Sequence, residues 1–260
     1  MHLFSSLGDR VVLASDERTI MATNIHLGLH GARTPGDNQE ETMSVGNTLL
    51  DQWGKQFGCP VWDWPAATKP DPDDLDPYWT KTPSRPKPNL YPGHPGYLPT
   101  KAVKYLIGKI QAANGPINVR LFGWSTGAIM LCHVARGLAK CPVIPEARRK
   151  VDVCFAIDPL WNGATWGAFP KIPKNVVRWV CVRQNRDGNK PPTNNFMNPK
   201  FWQGARLQVE DATKTRYDEI NVATGAIIGA PDFAVAMSPN ATHGQMPGIA
   251  NSFAVEILTA

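Results

Sequence analysis

The sequence predicts an α/β domain: a mostly parallel central sheet with helices on both faces. Three observations predict it. Short apolar runs alternate along the chain with segments whose apolar residues recur at helical spacing. The runs "INVRLFG", "VDVCFAI" and "NVVRWVCV" read as buried strands, as a sheet covered on both faces requires. The composition, 42% hydrophobic and 19% charged over 260 residues, suits one large globular domain, and no linker separates two hydrophobic halves. A single domain over residues 1–260 is expected.

Taken in order, residues 11–14 (VVLA) and 19–22 (TIMA) flank the polar turn "SDER" and suggest an N-terminal hairpin. "TNIHLGLHG" (23–31) reads as a buried strand that ends in Gly, followed by a loop of turn formers, "ARTPGDNQEE". From Ser44 to Phe57, the residues Val45, Leu49, Leu50, Trp53 and Phe57 mark a helix, and "CPVWDW" (59–64) returns as a strand. Residues 65–99 hold ten of the 24 prolines, which fix φ and remove backbone donors, so neither helix nor sheet interior is expected there. The segment is rich in aromatics (Tyr78, Trp79, Tyr91, Tyr97), and an ordered surface insertion or lid is expected. With Trp62 and Trp64, these aromatics would either line an apolar acyl site or pack a long surface loop. Beyond it come a helix over 100–113, a strand over 117–123, a helix over 126–139 and strands over 151–157 and 175–182. "ARLQVE" and "INVA" are candidate strands, and 249–259 reads as a closing helix.

Charge and cysteine usage exclude several classes. The net charge is +5 and the pI near 9.0, but the basic residues are scattered without interleaved aromatics, so no nucleic-acid partner is expected. The modest positive charge leaves open a peripheral contact with an anionic membrane or cell envelope. The five cysteines form no CxxC and no His lies at metal-ligand spacing from them, and HExxH is absent. No metal and no cofactor are expected. The chain shows neither a signal-peptide pattern nor a long apolar stretch, and a soluble protein, cytoplasmic or exported by a signal-independent route, is expected.

One motif carries chemistry. "GWSTG" (123–127) is a GxSxG pattern with a predicted strand directly before it and a predicted helix directly after. That context puts Ser125 on a sharp turn at the carboxyl end of a strand, where a serine can act as a nucleophile. A serine hydroxyl needs a neighbouring base to take its proton. Of the six histidines only His133 and His243 follow Ser125, and His133 lies within the helix after the motif. His243, in the polar stretch "SPNATHGQMPG", is therefore the candidate base. The "HG" at 30–31 ends the first strand and would place backbone N–H groups beside the serine. An oxyanion hole from Ala32 or Arg33 together with Thr126 is expected. Two aspartates stand after later strands. Asp158 directly follows its strand in "AIDPLW" and is preferred as the orienting acid; Asp187, in the polar "RQNRDGNK", is the alternative.

Together "GWSTG", the early "HG", an aspartate after a later strand and a late histidine resemble the α/β-hydrolase superfamily, over residues 23–260. More narrowly, "AIDPL", "NVVRWV" and "ATHGQMP" are similar to bacterial lipase-like proteins; secreted antibacterial lipases and phage cell-envelope esterases share the outline. Trp124 and Thr126 around the serine, and the Pro-rich segment in place of a helical cap, depart from common lipases. The resemblance implies hydrolysis of a small-molecule or lipid carboxylic ester, without metal or cofactor, through an acyl-enzyme on Ser125, His243 and Asp158. A non-catalytic binding module on the same fold, and an acyltransferase, are the alternatives.

Overall fold

The strands β1 (Thr23–His30), β2 (Val61–Asp63), β3 (Ile117–Trp124), β4 (Val151–Ile157), β5 (Val176–Val182), β6 (Arg216–Ile220) and β7 (Ile227–Gly229) form one sheet in the order β2-β1-β3-β4-β5-β6-β7. Neighbours from β2 to β6 are parallel and β7 closes the edge antiparallel. The computed structural model describes residues 22–31, 40–63, 100–160, 170–183, 206–220, 227–229 and 243–260. The expected N-terminal hairpin and the 65–99 insertion lie outside these residues.

Among the described residues, four α-helices cover the sheet: α1 (Glu40–Gln56), α2 (Thr100–Ala112), α3 (Thr126–Ala139) and α4 (Met246–Thr259). Two apolar clusters show which face each helix takes. Val103, Leu106 and Ile110 of α2 and Leu131 and Val134 of α3 join Leu27, Val119 and Leu121 on one face. Leu50 and Trp53 of α1 and Met246, Ala250 and Ile257 of α4 join Phe122, Trp124 and Phe155 on the other. Leu121 and Phe122 are adjacent and face opposite layers, because side chains alternate along a strand. That is why β3 is apolar almost throughout, as parallel strands buried on both faces are.

The connection from β1 runs outward to β2, and the next one crosses back to β3 on the other side of β1. Such a reversal opens a crevice beyond the carboxyl ends of β1 and β3, the usual ligand position in open α/β sheets. α4 is fastened at its far end. The Leu258 carbonyl accepts from buried Arg120 Nη1 at 2.7 Å and from His26 Nε2 at 2.8 Å, so two sheet side chains satisfy a helix C-terminal carbonyl. Mid-helix, Trp53 Nε1 donates to Asn251 Oδ1 at 2.7 Å and ties α4 to α1.

The structure corrects several expected boundaries. α1 begins at Glu40, four residues before Ser44. Glu40 and Glu41 carry no apolar signal, so the apolar periodicity that marks the helix begins only after its first turn. α4 begins at Met246, three residues before Ile249, with Pro247 in its first turn, where a missing N–H costs nothing. "ARLQVE" is not a strand; it contributes a single bridge, Val209 to Ile172. "INVA" meets β6 only at Ile220, and its remaining residues lie outside the described ones. β6 itself is "RYDEI", whose Asp and Glu disfavour a strand reading from propensity. Both acids are buried but paired. Asp218 accepts from Arg178 Nε at 2.7 Å and Arg216 Nε at 2.8 Å, and Glu219 accepts from Arg183 Nε at 2.9 Å.

Candidate functional site

β3 ends at Trp124 and α3 begins at Thr126, so Ser125 alone turns the chain. It does so at φ 57° and ψ −127°, in the positive-φ region that L residues seldom occupy. Strain of this kind persists only where the surroundings over-determine it. Here the Ser125 N–H donates to the Ile157 carbonyl at 2.9 Å, and the Ser125 carbonyl accepts from Ala128 N–H and Leu160 N–H, each at 3.1 Å. The two glycines of the motif are packing requirements. A Cβ on Gly123 would lie 2.8 Å from the Gly127 carbonyl carbon, and a Cβ on Gly127 would run into the carbonyls of Leu29 and His30. The first turn of α3 is therefore folded back onto β3 and pressed against the end of β1. Ser125 is fully buried, and its Oγ has no hydrogen-bond partner among the described residues.

Asp158 stands one residue beyond β4, also at positive φ (42°), with its N–H donating to the Val182 carbonyl at 2.7 Å. Its Oδ2 lies 2.6 Å from His243 Nδ1, and both side chains are fully buried. A proton on Nδ1 shared with the carboxylate leaves Nε2 as the basic nitrogen of the neutral ring. His243 opens a short 3-10 turn, His243–Gln245, that leads directly into α4. Its imidazole stacks on the Trp124 indole, ring centroids 5.2 Å apart and planes 28° from parallel.

The three residues are thus brought together by short links. Ser125 bonds to the residue before Asp158, Asp158 holds His243, and His243 rests on the residue before Ser125. Thr126, buried, opens α3, whose first N–H groups have no acceptor within the helix. Ala32, Arg33 and Asp187 lie outside the described residues. Gly31, the last described residue before Ala32, donates its N–H to buried Asn47 Oδ1 at 3.1 Å.

His26 and His30 have partners elsewhere in the fold. His26 holds the end of α4 and its pKa is lowered, first by burial. The His30 Nε2 lies 2.9 Å from Asp51 Oδ1. His133, buried in α3, is pushed down to about 3 by burial and, secondarily, by Arg136. Burial raises the thiols of Cys132, Cys154 and Cys181, and none of the five cysteines is paired. Among the described residues no group of three or more His, Cys, Asp or Glu is placed to hold a metal ion, and no helix is long and apolar enough to cross a membrane. Trp62, one of the aromatics considered for an acyl site, packs edge-on against Tyr105 of α2 with the Lys101 ammonium 4.7 Å over its ring.

Three neighbours escape a reading of the sequence: Trp124, Gly46 and Asn47. A glycine inside a helical pattern usually has a packing reason, and "VGN" in α1 carried that signal. A Cβ on Gly46 would sit 2.7 Å from Trp124 Cη2 and 2.9 Å from Pro247 Cγ, so α1 approaches the indole only because this residue is glycine. No family model, curated protein or solved structure matches the chain.

Proposed function

We propose that the protein is a serine hydrolase of carboxylic esters on an α/β-hydrolase fold. The observation that carries this reading is the buried 2.6 Å contact between His243 Nδ1 and Asp158 Oδ2, next to a serine held at positive φ between a strand and a helix. The chain order Ser125, Asp158, His243 and the position of the serine at a strand-to-helix turn both support it.

In this reading Ser125 Oγ attacks the ester carbonyl carbon while His243 Nε2 takes its proton. Asp158 stabilises the imidazolium and fixes the ring orientation. The N–H of Thr126, with that of Ala32 or Arg33, holds the developing oxyanion. The imidazolium then protonates the leaving alkoxide, and water, deprotonated by the same nitrogen, releases the acid. The substrate class is a small-molecule or lipid ester.

Two measurements test the proposal. The folded protein should react covalently with a fluorophosphonate at Ser125 and hydrolyse p-nitrophenyl esters of graded chain length, and Ser125→Ala should abolish both with its circular dichroism unchanged. A folded wild type that neither labels nor turns over any ester would refute the hydrolase reading and favour the binding module. Transfer to an added alcohol in preference to water would mark an acyltransferase.

A further inference from the structure

We infer that Trp124 is a positioning residue for the base: its indole face orients His243 and stabilises the imidazolium that forms as Ser125 is deprotonated. The inference rests on the serine-hydrolase reading and deepens it. Four observations carry it. The indole and imidazole rings are stacked at 5.2 Å and 28°. Trp124 is fully buried, so the interaction is not diluted by water. The indole is held in a slot, because Gly46 of α1 admits its six-membered ring where any side chain would collide, and Pro247 of α4 closes the same spot. Lastly, Trp124 Nε1 is buried with no hydrogen-bond partner among the described residues.

The last observation is the informative one. A buried indole N–H without an acceptor is unfavourable, and phenylalanine would fill much of the slot without that defect. What tryptophan offers over phenylalanine is the more electron-rich face, the best of the aromatic side chains for a cation. On the neutral ring that face gives only packing; on the imidazolium it adds an electrostatic attraction. The indole therefore acts where charge appears during the reaction. Asp158 holds the ring by one edge and Trp124 by one face, which fixes both the position and the plane of Nε2.

The test uses the full-length protein with Trp124→Phe and Trp124→Leu. A cation–π contribution of the usual size predicts that Trp124→Leu lowers the acylation rate about tenfold with KM within about twofold, because Trp124 lies beneath His243. Trp124→Phe, which keeps a ring but a less electron-rich face, should recover only part of that loss. Independently of turnover, the His243 ring protons should carry an upfield ring-current shift in wild type, smaller in Trp124→Phe and absent in Trp124→Leu. If Trp124→Leu does not fold, Trp124→Phe and Gly46→Ala, which pushes on the indole, give the same comparison. Acylation at the wild-type rate in a folded variant without the stack, or no ring-current shift in wild type, overturns the role of Trp124 and leaves the hydrolase reading standing. A wild type with an upfield His243 but no ester turnover overturns the hydrolase reading instead.

Discussion

Replacing Asp158 by Asn is the sharpest test of the site, because the substitution removes one charge and almost nothing else. Asp158 sits at φ 42°, a conformation costly for most side chains and one of the few that Asn accepts readily, so the backbone turn survives. The lost interaction is a carboxylate against an imidazolium, both fully buried, 2.6 Å apart at the nearest atoms. With charge centres about 4 Å apart and an effective dielectric near 20, that attraction is about 4 kcal/mol. Appearing mainly in the transition state, it is worth about a thousandfold in turnover. The amide adds a second fault: it can donate to Nδ1, leaving the ring proton on Nε2, where it cannot accept from Ser125. The combined loss expected in kcat is about 10³–10⁴-fold, with KM little changed. Steady-state hydrolysis of a p-nitrophenyl ester measures it, with circular dichroism confirming the fold. A folded Asp158→Asn within tenfold of wild type, or a larger loss in Asp187→Asn, would refute the assignment.

Two glycines should divide by environment. Gly127→Ala forces a Cβ into the β1 carbonyls and should cost about 3 kcal/mol in urea unfolding, whereas Gly108→Ala, in open space on α2, should stabilise by about 0.5–1 kcal/mol. Equal effects would mean the clash is relieved by backbone movement. Acid should weaken the fold through His133. Its pKa is about 6.5 unfolded and about 3 folded, so below about pH 6.5 the unfolded chain binds a proton the folded chain does not. The contribution is complete above that pH and declines by up to about 1.4 kcal/mol per pH unit as pH falls toward 3. His133→Leu should flatten the stability curve between about pH 6 and 4 by up to that slope, and an unchanged slope would exclude His133 as the cause. Arg183→Met leaves the buried Glu219 carboxylate with only the Tyr217 hydroxyl, 3.1 Å away, among the described residues, and should cost about 3–5 kcal/mol. Adding Glu219→Leu should recover much of it; a double variant no better than the single would place the cost in packing.

The central strands were legible because burial on both faces makes them uniformly apolar; β4 spans the same residues in sequence and structure, as does α3. β6 was not, because its buried acids become acceptable only once Arg178, Arg183 and Arg216 are beside them, and that adjacency is tertiary. The sharp turn at Ser125 was legible from "GWSTG" together with the strand pattern before it and the helical pattern after it, since the glycines at 123 and 127 encode the close approach of three backbone segments. The preference for Asp158 over Asp187 followed from its closeness to a strand end; Asp158 Oδ2 lies 2.6 Å from His243 Nδ1, and Asp187 lies outside the described residues. Trp124 gave no signal by itself. The role proposed for it rests on the ring of His243, far along the chain, stacked on its indole, a relation no local pattern encodes.

The bonds that fasten α4 to the sheet join residues far apart along the chain: His26 to Leu258 across 232 positions and Arg120 to Leu258 across 138. Contacts of such separation close long loops, whose entropic cost comes before the contact gives anything back. His243 arrives with that helix, while Ser125 and Asp158 are set by neighbouring strands. On the proposed reading, a chain in which α4 is undocked would hold the nucleophile and the acid without their base. Turnover would then report completed assembly more strictly than helix content does, because every other element can be in place while the protein is still inert.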